Sequence, residues 1–160
     1  MNHTAEKLLT FIKESPTAFQ AVEMMKKRFN ENGFAELKED EHWELKNGGK
    51  YFVTRNHSAI IAFTLPEESS DVFHIIASHS DSPTFKIKEN PEMVENGYVK
   101  LNVELYGGAL LAPWFDRPLS VAGRLIVKEN GEICEKLVAV DKDMLMIPNL
   151  AIHMNRDANS

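Results

Sequence analysis

Val72-Phe73-His74-Ile75-Ile76-Ala77-Ser78-His79-Ser80-Asp81-Ser82-Pro83 is the most informative stretch of this 160-residue chain. Residues 72–77 are apolar at almost every position. A short continuous run of this kind predicts a strand covered on both faces, with His74 as a hydrogen-bonded core residue. In open α/β sheets, ligands gather outside the carboxyl ends of the strands. The Ser78–Pro83 segment is therefore where chemistry is expected. His79 and Asp81 lie two residues apart, so in an extended chain they project to the same side. A metal-bound histidine commonly gives its second ring N–H to a carboxylate, which fixes the tautomer and raises the basicity. One segment can thus supply a ligand and its supporter. The competing reading is a strand-end histidine hydrogen-bonded to a loop.

Working towards the N-terminus, helices and a hairpin are expected to pack around this strand. Ala5, Leu8, Leu9 and Ile12 fall on one helical face. Ser15-Pro16 reads as an N-cap followed by proline at the first helical position. The second helix would bury Ala18, Val22, Met25 and Phe29, and Gly33 suits its stop. Asn47-Gly48-Gly49 signals a turn. Residues 51–53 and 59–63 read as strands joined across Asn56-His57, and 66–70 as a polar loop.

Towards the C-terminus the pattern becomes all-β. Val99, Leu101, Val103 and Leu105 alternate with polar residues, as in a half-solvated strand. Residues 121–127 and 133–140 are two more strands, joined by a turn at Lys128-Glu129-Asn130-Gly131. No helical pattern interrupts 84–147. The boundary falls near 83–90 and divides a mixed α/β part, 1–86, from a β-rich part, 87–160.

Composition limits the function. Apolar residues make up 43% and charged residues 26%, the balance of a globular protein. The net charge of −6 argues against nucleic-acid binding. No stretch approaches the roughly 20 apolar residues of a membrane span. The start, Met1-Asn2-His3-Thr4, lacks the character of a signal peptide. The single cysteine, Cys134, permits no internal disulfide and fits a reducing, cytoplasmic setting.

Other chemistries fit less well. Ser78 and Ser80 flank His79, but adjacent strand residues point to opposite faces and do not form a Ser–His pair. There is no G-x-S-x-G elbow, no phosphate-cradling glycine loop and no histidine near Cys134, which reads as an inert packed thiol. Tyr106–Pro118 reads as an irregular loop locking one strand pair on another, or as a subunit contact. Its Asp116-Arg117 would be an ion pair and its Trp114-Phe115 an apolar anchor. His153 stands alone in an apolar stretch, ordinarily the mark of a satisfied core histidine. His3, His42 and His57 receive no role.

Taken together, these segments resemble the M18 family of metallo-aminopeptidases, the aspartyl aminopeptidases. His79-Ser80-Asp81-Ser82-Pro83 matches the family's H-[ST]-D-S-P. Gly107-Gly108 and Trp114-Phe115-Asp116-Arg117-Pro118-Leu119 match its glycine-rich segment and W-x-D-R-x-L. Ile147-Pro148-Asn149-Leu150-Ala151-Ile152-His153 matches I-P-x-L-A-I-H, and Ser15–Phe19 matches S-P-T-A-F. Ala109 and Pro118 depart from the family pattern, at a third glycine and an acidic position respectively.

The resemblance implies an α/β fold: part of a zinc-exopeptidase αβα sandwich followed by an all-β dimerisation domain. It implies two divalent metal ions, zinc above all, which polarise the scissile carbonyl and lower the pKa of a bridging water. His79 would be a metal ligand, Asp81 its catalytic supporter, and His153 part of the neighbouring subunit's substrate site. Partners would be peptides with acidic N-terminal residues and further copies of the chain, in dimer-based oligomers. Family members are much longer, and their bridging aspartate, general-base glutamate and remaining ligands lie beyond residue 160. The end at Asp157-Ala158-Asn159-Ser160 therefore reads as a truncation, and the chain alone is expected to be inactive. Two readings from other classes are a non-catalytic oligomerisation module derived from the family and an unrelated α+β binding domain.

Overall fold

The computed structural model describes residues 2–157; residues 158–160 of the expected truncated end lie outside the described residues. Two compact units are present. One comprises Met1–Ser82 with Ala122–Ala139, the other Pro83–Val121 with Val140–Ser160.

The first unit begins with α1 (His3–Glu14), capped by Asn2, whose side chain accepts from the Thr4 N–H at 3.1 Å. α2 spans Ala18–Glu31. It starts two residues later than Ser15-Pro16 suggested. Ser15 instead closes α1, its N–H bonding the Ile12 carbonyl at 3.2 Å. Thr17 has the extended backbone of an N-cap, and its carbonyl accepts the first α2 bond from Ala21 N–H at 2.9 Å. At the other end Gly33 takes φ +77°, and the N–H of Phe34 reaches back to the Phe29 carbonyl at 3.0 Å. That left-handed turn is why glycine ends this helix.

Three strands, β1 (Ala35–Leu37), β2 (Lys50–Arg55) and β3 (Ala59–Thr64), form a sheet in the order β1-β2-β3. β1, too short for a periodic signal, pairs parallel to β2, and β2 pairs antiparallel to β3. The turn between β2 and β3 holds Asn56 and His57 at φ +50° and +54°, as the Asn-His pair suggested. The Asn47-Gly48-Gly49 turn also forms. Gly48 has φ +73°, and a Cβ there would meet the Glu67 carboxylate at 2.5 Å. The core is Ala21 and Val22 of α2 against Tyr51, Phe52 and Val53 of β2. Phe52 is fully buried, and its ring stacks on Phe29 with centroids 5.8 Å apart.

The hairpin β6 (Ala122–Glu129) and β7 (Glu132–Ala139) forms as expected, turning at Asn130-Gly131 with positive φ at both. It groups with the first unit, although its place in the chain put it with the β-rich part. One tie is Arg124 of β6, which bonds Asn56; another is Gln20. This buried side chain of α2 donates to the Val138 carbonyl at 3.0 Å and the Gly123 carbonyl at 3.4 Å, bridging both strands of the hairpin. Sequence periodicity carries no trace of such a long-range polar clasp. Gln20→Leu leaves those carbonyls without their donor and is expected to cost about 1–3 kcal/mol, read as a lower urea midpoint with an unchanged slope.

The predicted strand at residues 72–77 does not form. Phe73, Ile75 and Ile76 are 83%, 84% and 99% exposed, and His74 is exposed instead of buried. A strand covered on both faces needs paired neighbours and layers above and below. Among the described residues the sheet ends at β3, and nothing pairs with this run.

In the second unit, β4 (Thr84–Glu95) and β5 (Tyr98–Tyr106) make a long hairpin across Asn96-Gly97, with a register shift between Ile87 and Glu92. On β5, Leu101 and Val103 are half-buried, while Val99 and Leu105 at its ends are exposed. No α-helix occurs between 84 and 147; a single 3₁₀ turn, Ala112–Trp114, lies in the irregular loop. Trp114 packs edge-on against Phe85 at 5.3 Å.

Candidate metal centre

The site is built on the segment after the apolar run, in the first unit. In an extended chain, alternation would place His79 and Asp81 on one side and Ser80 on the other; here the segment bends at Ser80 and forms no strand. His79 Nδ1 lies 3.0 Å from Asp81 Oδ1, and the Ser80 hydroxyl donates to the Ser58 carbonyl at 2.8 Å. A carboxylate only accepts, so Nδ1 donates in this contact; in the neutral imidazole that leaves the lone pair on Nε2. The His79 side chain is 90% exposed and that of Asp81 35% exposed. This is the donor pattern of a metal-binding imidazole with its carboxylate behind it.

The pair fits one ligand of a zinc ion, not a whole site. Among the described residues, no group of three or more His, Cys, Asp or Glu side chains is placed to hold a metal. A catalytic zinc ordinarily takes three protein ligands.

The turn that supplies the Ser58 carbonyl is itself held in place. Arg124 of β6 donates to the Asn56 carbonyl at 3.1 Å and to Asn56 Oδ1 at 3.2 Å. Its guanidinium lies over the Phe19 ring at 4.2 Å and reaches Glu135 at 3.4 Å. At the base of the same turn, Arg55 Nε donates to Glu39 Oε1 at 2.8 Å, and this carboxylate raises the arginine's pKa. Sequence reading missed Ser58, Asn56 and Arg124. The Asn56-His57 turn signal was the one available hint.

The other singled-out residues lie elsewhere. In the second unit, Asp116 sits at φ +55° and accepts from the Asn149 N–H at 2.9 Å, while Arg117 donates to the Pro113 carbonyl at 3.4 Å. Those contacts stand where an Asp116–Arg117 ion pair was expected. The backbone bond from Asp116 N–H to the Ile147 carbonyl, at 2.9 Å, ties the Trp114–Leu119 segment to the Ile147–His153 segment. The two motifs adjoin through this bond and an isolated bridge between Phe115 and Ile147. His153 is exposed in a turn, not packed in a core. Cys134 is half-buried on β7, with Sγ 3.8 Å from Glu129 Oε2. No helix among the described residues is long and apolar enough to cross a membrane.

Comparison with known proteins identifies relatives of the chain. The M18 aminopeptidase from Clostridium acetobutylicum, named a probable M18 family aminopeptidase 2, is 55% identical over 161 residues, covering 98% of this chain and 37% of the relative. Among solved structures, mApe1 of Chaetomium thermophilum superposes with a TM-score of 0.87 at 41% identity, covering 96% of this chain and 36% of that one. The S. cerevisiae mApe1 dodecamer gives 0.83 at 30% identity, covering 94% and 36%. The mixed α/β architecture is thus that of these aminopeptidases, and the chain spans about 37% of the length of the curated relative. The family profile described as aminopeptidase I zinc metalloprotease (M18) matches residues 11–160, and the chain belongs to that family.

Proposed function

We propose that this chain contributes one metal ligand and its supporting carboxylate to a zinc-dependent aminopeptidase that removes N-terminal residues, acidic ones by preference, from peptides. The observation that carries the reading is the 3.0 Å His79–Asp81 pair, in a chain of a zinc metalloprotease family. His79 would bind through Nε2. Asp81 would hold the ring in the Nδ1–H tautomer and keep it basic. Two divalent ions, zinc in this reading, would supply Lewis-acid polarisation of the scissile carbonyl and a more acidic water. Exposed His153 would face the substrate site of a neighbouring subunit.

In this reading the helices and three-stranded sheet belong to the peptidase domain and the β-rich part from residue 87 onward to a dimerisation domain, whose 122–139 hairpin groups with the first unit. Assembly would be a dimer-based homo-oligomer, in line with the dodecamer formed by the S. cerevisiae relative. The cytoplasm is the proposed setting, in keeping with a lone free cysteine.

The lack of a third donor among the described residues also favours a second reading, in which the chain is a non-catalytic oligomerisation module. Metal content and turnover separate the two. The 160-residue chain alone is expected to retain no zinc pair after dialysis and to leave an aspartyl chromogenic substrate intact. A chimera joining it to the remaining residues of the C. acetobutylicum relative is expected to do both. Turnover by the chain alone would overturn the argument from missing ligands. An inactive, metal-free chimera that still oligomerises would favour the module.

A further inference from the structure

The side chain between the ligand and its supporter is the one that ties the segment to the fold. His79 is almost fully exposed, and the run before it, 72–77, has no strand partner among the described residues. An imidazole on such a tether would sample many orientations, and each rotamer lost on binding a metal costs free energy. The structure offers a specific remedy. Ser80 is half-buried, and its hydroxyl donates to the Ser58 carbonyl at 2.8 Å. That carbonyl is no free loop atom. It follows the Asn56-His57 turn, whose two left-handed residues set the backbone direction. Arg124 grips the turn through two bonds to Asn56, and is itself stacked on Phe19 at the start of α2. An arginine is suited to this, because its planar fork makes several directed bonds and stacks on a ring at once.

We propose that Ser80 is the positioning residue of this site. Anchored on the Ser58 carbonyl, it holds the 79–81 segment so that Asp81 captures His79 Nδ1 and leaves Nε2 bare and outward. This rests on the reading of His79 as a metal ligand. In this proposal Ser80 acts through the orientation and tautomer of its neighbour, its hydroxyl bonding the Ser58 carbonyl. A hydroxyl is required at position 80, and threonine would serve as well as serine.

The test reads the tautomer directly, in the 160-residue chain without metal. Histidine side chains labelled with ¹⁵N are observed at about pH 8, where imidazole is neutral, with His79 assigned by its loss in His79→Gln. In the parent chain one tautomer, Nδ1–H, is expected to dominate. Ser80→Ala should raise the Nε2–H form several-fold, towards the mixture of a free imidazole. Ser80→Thr and Ser80→Val have nearly the same shape and differ in the hydroxyl. Threonine should keep the parent spectrum, and valine should reproduce the alanine result. A tautomer ratio unchanged in both Ser80→Ala and Ser80→Val would overturn the proposal. So would equal shifts in Ser80→Thr and Ser80→Val, because shape alone would then set the ring. The ligand reading is checked separately, by the zinc content of the chimera with and without His79→Ala. Zinc retained without His79, beside a tautomer that depends on the Ser80 hydroxyl, would sink the ligand reading and leave the positioning intact.

Discussion

His79→Ala, placed in the chimera with the C. acetobutylicum relative, is expected to remove one zinc ion and lower turnover by well over a hundredfold. The scale follows from what surrounds the residue. Loss of an outer carboxylate that supports a metal-bound histidine costs about 10–100-fold in affinity or activity. Loss of the ligand removes the donor itself, so its effect must exceed that of Asp81→Asn in the same background. The order is therefore part of the prediction. Asp81→Asn keeps the shape and can still accept from Nδ1, but it lacks the negative charge that raises the imidazole's basicity. Its expected fall is about 10–100-fold. Zinc content by atomic absorption and turnover of an aspartyl substrate are the two readouts. Full activity in His79→Ala would end the assignment. Equal losses in the two variants would mean that the pair acts in some way other than as ligand and support.

Phe52→Ala should produce the largest loss of stability in the first unit. Phe52 has no exposed surface, stacks on Phe29 at 5.8 Å, and sits at the centre of the sheet between β1 and β3. Truncating a buried phenylalanine costs about 3–5 kcal/mol, the lost transfer energy plus the cavity left behind. Whole domains are stable by only about 5–15 kcal/mol. The buried core here is small, with Ala21, Val22, Tyr51 and Val53 as its other apolar members, so little is available to fill the hole. Urea denaturation followed by circular dichroism should show the midpoint falling by roughly 1–3 M, or no cooperative transition at all. A midpoint within about 0.3 M of the parent would show that the core lies elsewhere.

Local rules made much of this fold legible. Apolar residues at helical spacing marked α1 and α2, and Asn-His, Asn-Gly and Gly-Gly pairs marked turns whose positive φ angles the structure shows. The two-residue spacing of His79 and Asp81 predicted that they meet, and they do at 3.0 Å, although the segment bends at Ser80 instead of forming a strand. The same rules misplaced residues 72–77. Their hydrophobicity states that they should be covered, but covering is done by other segments, and none among the described residues does it.

Hydrophobic period, turn chemistry and motif spacing were thus determined by the sequence alone, since each depends on neighbours a few residues apart. Tertiary structure decided that the 122–139 hairpin joins the first unit, through Gln20 and Arg124. It also decided that Ser80 finds the Ser58 carbonyl and that Asp116 bonds Asn149 instead of Arg117. Each of these is a polar contact between segments distant in the chain. Such contacts have no period, and only the folded backbone brings donor and acceptor within about 3 Å of each other.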